Sequence, residues 1–299
     1  MTGAGPACAI QPAGFLLALS EEGLIEAVSA NIAAFVTCDP GKLIGRPASD
    51  VLAEDAIHGL RNRLALLRDS EGIERLLACR LTREERSFDV AVHLTEGRII
   101  VEAEPATMRT FGDITGTLRG MYARLGHASD LDLFLAGAAR QIRALTGFDR
   151  VMITRFDPDG SSAVIAEYTR SGASSLLGQR LSPDHLPPEE RRCLLRSPLY
   201  LNADVEAELV PLMFGHEPEP LDLTRAILRP VTPAHRDRLR EMDASAIMSI
   251  GLVVGGSLWG VILCLHQTAR SPSFERRSIA ELFAQLLALR IEIFELKKG

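Results

Sequence analysis

The chain has 299 residues, room for two domains at about 150 residues each. Hydrophobic residues make up 46% and charged residues 24%, ordinary globular usage that excludes a disordered, collagen-like or low-complexity chain. The 33 Lys+Arg against 39 Asp+Glu leave a formal charge of −6, so a phosphate backbone is repelled on average and nucleic acid is not an expected partner.

The amino terminus, MTGAGPACAIQPAG, has no basic region followed by an apolar stretch and does not read as a secretory signal. No run approaches the roughly 18 consecutive apolar residues of a membrane span, so no membrane association is expected. The five cysteines, Cys8, Cys38, Cys79, Cys193 and Cys264, include no CxxC pair and have no His at zinc-finger spacing. That argues against a disulfide framework or structural zinc and for a cytoplasmic location.

In chain order, GFLLALS (14–20) reads as a strand closed by the Glu21-Glu22-Gly23 turn. Residues 31–36 and 57–67 carry helical spacing, with Leu60, Leu64 and Leu67 on one face. A hairpin follows: residues 86–94 alternate through Phe88, Val90 and Val92, Thr95-Glu96-Gly97 turns, and residues 98–104 return. Helices early and antiparallel strands late describe a small α+β sensor-type domain.

Residues 112–125 read as a connecting helix. Residues 131–145 form a stronger one, with Leu131, Phe134, Leu135, Ala138, Ile142 and Leu145 on one face, Asp130 as N-cap and Gly147 as stop. Strands 150–156 and 162–169 flank an Asp157-Pro158-Asp159-Gly160 turn, and a second hairpin, 247–254 and 257–266, turns at Gly255-Gly256. Between these sheet halves, residues 171–245 are proline-rich with few periodic segments, and a loop that long is where a ligand is expected. Residues 274–298 read as one helix with apolar Ile279, Leu282, Phe283, Leu286, Leu289, Ile293 and Leu296. Leu287 and Phe294 widen its apolar side beyond one packing surface, which suggests a subunit contact, as in a homodimer, or a helix-bundle contact; the plainer alternative is that the helix simply covers the second sheet.

The strings IQPAG (10–14), IGRP (44–47), EAEPA (102–106), FDRVMITRFDPDGSSAVIAE (148–167), LPPEERR (186–192), PLDLTRAILRPVTPAH (220–235) and MSIGLVVGGSLWGVILCLH (248–266), in this order, resemble the amino-terminal PAS and GAF domains of bacterial phytochromes. The resemblance implies an α+β fold in which each domain is a central antiparallel sheet with flanking helices. The PAS-like domain would occupy 1–110 and the GAF domain 111–299. It also implies a figure-of-eight knot, in which the IQPxG segment threads a GAF loop at about 199–229. In the family a linear tetrapyrrole (bilin), biliverdin or another, sits in the GAF domain, and a histidine kinase commonly follows as output on a longer chain.

Carried over residue by residue, the pocket is altered. Bacterial members place the attachment cysteine about eleven residues before the Ile of IQPxG. Here nine residues precede Ile10, and Cys8, two before it, is displaced by more than a thioether's reach at about 3.3 Å per extended residue. The alternative attachment position, after the GAF histidine, is Arg236. The family's Asp-Ile-Pro motif reads His185-Leu186-Pro187, with Asp184 one place early. The stacking histidine is His235. One propionate arginine is Arg229, whose guanidinium fork suits a carboxylate. The other is Tyr200, and the serine pair reads Ser249 and Gly251. The histidine at the isomerising ring is Leu265, and the tyrosines flanking that ring fall on Thr154 and Arg238.

Each site residue also has a plainer reading. His235 would cap its own loop, His185 would be an exposed loop histidine, Arg229 would pair with Asp222 or Glu219, and Ser249 would be a satisfied core hydroxyl. Cys8 would be an inert thiol, Arg236 to Glu241 a solvated helix face, and the Glu pairs at 21, 84 and 189 exposed and without chemistry. No GxSxG, HExxH or P-loop string is present, so the chain itself reads as a sensor and not an enzyme. Two functions stay open. One is a phytochrome-type sensory module with covalent bilin attachment lost and bilin bound weakly, non-covalently or not at all. The other is a chromophore-free dimerisation or interaction module sensing another signal such as redox state.

Overall fold

The computed structural model describes residues 8–67, 72–107, 113–215 and 221–297. It opens with strands β1 (Ala9–Ile10), β2 (Phe15–Leu19) and β3 (Ile25–Ser29), helix α1 (Glu54–Leu67), then β4 (Glu74–Cys79), β5 (Phe88–Thr95) and β6 (Arg98–Pro105). Helices α2 (Ile114–Ala123) and α3 (Leu131–Thr146) follow, then β7 (Arg150–Phe156), β8 (Ser162–Thr169), β9 (Arg180–Leu181) and α4 (Pro188–Arg196). Strands β10 (Leu199–Asn202) and β11 (Val210–Phe214), helix α5 (Pro233–Glu241), strands β12 (Ala246–Val254) and β13 (Ser257–His266), and helix α6 (Phe274–Leu296) complete the order. Gly112, Lys298, Glu219 and Pro220, named in the sequence expectations, lie outside the described residues. No helix among the described residues is long and apolar enough to cross a membrane.

Two compact units result: Met1–Met108 with Glu206–Pro230, and Arg109–Val205 with Val231–Gly299. The first is built on one antiparallel sheet in the order β1-β11-β3-β2-β6-β5-β4. The expected hairpin is present, and its turn has positive φ at both Glu96 (48°) and Gly97 (75°), the primed turn that matches strand twist. Alternation sends Phe88, Val90 and Val92 into one core with Phe15, Leu17, Leu52 and Leu60. Phe15 meets Phe88 edge to face at 5.5 Å, an arrangement that adds to area burial. Gly14 of the IQPAG string is required by close approach: a Cβ there would stand 2.3 Å from the Ala103 carbonyl oxygen.

Several expectations are corrected in this unit. The helical segment at 31–36 is a single 3-10 turn, Ile32–Ala34, and α1 starts at Glu54, ahead of Ile57. Strand β4 was not expected, because ERLLAC does not alternate. Its ladder shifts register between Leu76 and Cys79, where Ala78 takes φ 50°.

The proline-rich region also holds more structure than its composition suggests. Within the first unit, β11 pairs with β1 on one edge and β3 on the other, which is why residues 206–230 pack with this unit despite their place in the sequence. The Gln11 amide donates to the Leu228 carbonyl at 2.8 Å, and its side-chain Nε2 donates to the Arg229 carbonyl at 2.8 Å. Residues 8–11 are thus bracketed by β11 and by Leu228–Arg229. Glu102, fully buried on β6, accepts from the amides of Ile227 (3.0 Å) and Leu228 (2.8 Å) and fastens this segment. Burial pushes its carboxyl up to about 7, against the pull of those two hydrogen bonds. His93 lies 3.9 Å away, equally buried, and burial pulls it down to about 3, with Arg225 adding to the effect.

In the second unit one antiparallel sheet runs β10-β12-β13-β7-β8-β9. Helices α3 and α6 cover one face. The Asp130 carboxylate accepts from the Leu133 amide at 2.9 Å and Gly147 closes α3 at φ 71°, as the cap residues imply. On α6 the buried residues Ile279, Ala280, Phe283, Ala284, Leu287 and Ile291 join the same core. Burying each large side chain among them contributes about 1.5–3 kcal/mol. The opposite face carries a second, smaller apolar cluster that includes Met152, Tyr200, Ile247, Val261 and Leu265, with α4 contributing Leu194 and α5 contributing Leu239.

Candidate functional site

Strand alternation decides which residues reach that second face. On β12, Met248, Ile250 and Leu252 enter the helix-covered core, so Ser249 and Gly251 point the other way with Ile247. On β13, Cys264 joins the helix-covered core while Leu265 joins the opposite cluster. On β10, Leu199 and Leu201 face the helices and Tyr200 the site. Tyr200 and Ser249 are register partners.

Helix α5 brings His235. Thr232 caps the helix, its Oγ1 accepting from the His235 amide at 3.3 Å, and Pro233 opens the first turn. The His235 ring is 4% exposed. Its Nδ1 has no hydrogen-bond partner and lies 3.7 Å from Oε1 of Glu190 on α4. The expectation that the Glu pair at 189 is exposed and without chemistry is therefore corrected for Glu190, which is buried beside His235. Ser249, 1% exposed, has a hydroxyl with no partner, so it is not the satisfied core hydroxyl of the plainer reading.

The His185-Leu186-Pro187 segment ends a 3-10 turn (Pro183–His185) and leads into α4. Ser182 Oγ and His185 Nδ1 are 3.1 Å apart, and His185 is half-buried rather than an exposed loop residue. Arg191 fixes the segment from behind: its Nε donates to the Leu186 carbonyl at 2.7 Å and its guanidinium lies 4.6 Å from the centre of the Phe156 ring. Leu186 is buried. Where the second serine of the family pair would stand, a Cβ on Gly251 would come 3.1 Å from the Leu194 carbonyl oxygen of α4 and 3.0 Å from Leu258. Glycine at 251 permits the close seat of α4.

His185, His235 and Arg238 line a niche of about 20 Å³ with apolar walls from Leu181, Leu239, Met242, Ile247, Leu263 and Leu265. Arg238 Nη1 is buried there without a hydrogen-bond partner. Arg240 and Asp237 of this helix form the solvated pair that a charged helix face suggests, at 3.1 Å. The second unit thus places His185, Leu186, Pro187, Tyr200, His235 and Ser249 on and around one sheet face. Arg229 belongs to the first unit, where it is 6% exposed and donates from Nη1 to the Ala226 carbonyl at 3.0 Å.

Two residues of the site, Glu190 and Arg238, were not singled out as contacts by the sequence reading. Helical spacing marks both: Glu190 shares a face with Leu186 and Leu194, and Arg238 continues His235 and precedes Leu239 and Met242 at i, i+3, i+4 and i+7.

A family model described as a PAS fold matches residues 6–106, and the GAF domain model matches residues 130–291. A PAS domain followed by a GAF domain defines the class, a PAS–GAF sensory module. The chain is 30% identical over 96% of its length to a bacteriophytochrome of Pseudomonas aeruginosa and 31% identical over 96% to cyanobacterial phytochrome B of Nostoc. It spans 39% of the length of each of these relatives. Among solved structures, the chromophore-binding domain of a Stigmatella aurantiaca phytochrome matches with TM-score 0.84 and 30% identity, covering 94% of this chain and 95% of that one. That of an unusual bacteriophytochrome from R. palustris matches with TM-score 0.83 and 30% identity, over 98% and 97%. The chain belongs to the phytochrome family, as a bacteriophytochrome-like PAS–GAF module.

Proposed function

We propose that this module senses through a linear tetrapyrrole of the biliverdin type, held non-covalently on the second unit's site face, and relays the signal to an output domain such as a histidine kinase in a longer cytoplasmic protein. The observation that carries the reading is the set of buried polar atoms left without hydrogen-bond partners there: His235 Nδ1, Ser249 Oγ and Arg238 Nη1. Buried polar atoms are rarely left unmatched, and a set of them on one face is what a polar ligand completes. His235, Ser249, His185, Tyr200, Leu186 and Pro187 are the residues assigned to hold it, and Arg229 is added on the family likeness alone. A bound tetrapyrrole supplies red-light absorption and double-bond isomerisation.

The same residues do not suit a thioether. Arg236 stands where family members of one branch attach the pigment. Cys264 lies on the helix-covered side of β13, where burial pushes its thiol far up and suppresses the thiolate. Cys8, in the first unit, is 8% exposed and held at φ 68°.

Titration of the purified chain with biliverdin tests the reading: a saturable absorbance change is expected, weakened by Arg229→Ala through the loss of one charge-assisted carboxylate contact. No change in the wild-type spectrum overturns pigment binding, and unchanged affinity in the variant removes Arg229 from the site. A chromophore-free interaction module is the second reading, favoured by the exposed apolar residues Leu282, Leu289, Ile293 and Leu296 along α6. Homodimerisation through that helix belongs to both readings.

A further inference from the structure

Arg238 is a cation turned toward an interior. Its Nη1 is buried and has no hydrogen-bond partner, and it lines the niche together with His185 and His235. The other lining residues are all apolar, and no carboxylate is among them. Two nearby acids are otherwise engaged. Glu190 faces His235 at 3.7 Å from α4, and Asp237 pairs with Arg240 at 3.1 Å. His235 is 4% exposed and lines the same niche, so a guanidinium and an imidazole meet at one small space. Its volume of about 20 Å³ exceeds the roughly 10–15 Å³ that one water-sized group needs. A guanidinium, two imidazoles and apolar walls together suit a single hydrogen-bond-accepting oxygen that arrives on an otherwise apolar body.

Resting on the pigment reading above, we infer that Arg238 is a specificity-determining contact which takes one acceptor oxygen of the tetrapyrrole, a terminal ring carbonyl or a propionate carboxylate. The aromatic hydroxyl that family resemblance places at this position is replaced by a fixed positive charge. A charge-assisted bond from Arg238 is stronger than one from a neutral hydroxyl. A buried guanidinium donor without an acceptor is unfavourable, so this arginine lowers stability for the sake of the ligand.

The test compares wild type with Arg238→Met and Arg238→Gln, using biliverdin and biliverdin dimethyl ester as probes and thermal unfolding of the ligand-free protein as a second readout. Arg238→Met is expected to weaken biliverdin binding at least tenfold and shift the long-wavelength band, with an unfolding midpoint no lower than wild type; Arg238→Gln, which keeps a donor, falls between. If the oxygen is a ring carbonyl, the dimethyl ester shows the same tenfold loss on substitution. If it is a propionate, wild type binds the ester as weakly as Arg238→Met binds the acid. Wild-type affinity for both probes in Arg238→Met means the niche holds only water and overturns this inference while the pigment reading stands. A lower unfolding midpoint in Arg238→Met makes the arginine structural and overturns it too. No binding by wild type overturns both.

Discussion

His93 and Glu102 face each other at 3.9 Å with no exposure, and their titrations work in opposite directions. The folded state raises Glu102 from 4.5 to about 7. The stability this group contributes is therefore full below pH about 4.5 and lost as pH rises through about 7, a swing of roughly 3 kcal/mol at about 1.4 kcal/mol per unit. The folded state lowers His93 from 6.5 to about 3. Its contribution is full above pH about 6.5 and lost as pH falls toward 3. Between 4.5 and 6.5 the two slopes oppose each other and flatten the wild-type profile. Glu102→Gln removes one of them, so urea stability should then rise with pH from about 3 to 6.5 and level off. His93→Gln should leave the other, a fall between about 4.5 and 7. A falling profile in Glu102→Gln would show that Glu102 does not titrate as its burial demands.

The residue scale is also where the sequence is least informative. His235 and Ser249 stand out only through family likeness, since an isolated His or Ser has many roles. Glu190 and Arg238 read as solvated charge because their neighbours Glu189, Arg192, Asp237 and Arg240 are. What separates them is burial on the inner helical face, and short, charge-dense helices such as PEERRCLLR have too few apolar positions to announce that face.

At the scale of elements, legibility follows periodicity. Helix α3 and the hairpins β5–β6 and β12–β13 are visible because their apolar residues recur with a clean period and their caps and turns are local. Strand β11 is not, because its pairing with β1 and β3 joins residues about 180–200 positions apart and leaves no local signal. Helix α6 adds a prediction. Leu282, Leu286, Leu289, Ile293 and Leu296 repeat at alternating spacings of four and three along the side away from the core, with Leu289 60% and Leu296 76% exposed. That repeat has the spacing of a helix-pair seam. Leu289→Glu with Ile293→Glu should convert a dimer to a monomer in light-scattering chromatography, with the helical circular dichroism of the monomer retained. A dimer of unchanged mass would place association elsewhere.

At the scale of the whole molecule, two antiparallel units and a bracketed amino-terminal segment were legible as a family pattern. The departures of the pocket from that pattern were legible as substitutions. Their consequence was not, because it depends on which side chains the folded sheet face leaves without partners. A tetrapyrrole held there by non-covalent contacts alone leaves the chain when it is denatured. The absorption spectrum of the chain mixed with biliverdin, recorded before and after transfer to acid urea and gel filtration, tests this most directly. Non-covalent binding predicts a new long-wavelength band on mixing and a denatured protein fraction free of pigment. Pigment that stays with the denatured chain would contradict it.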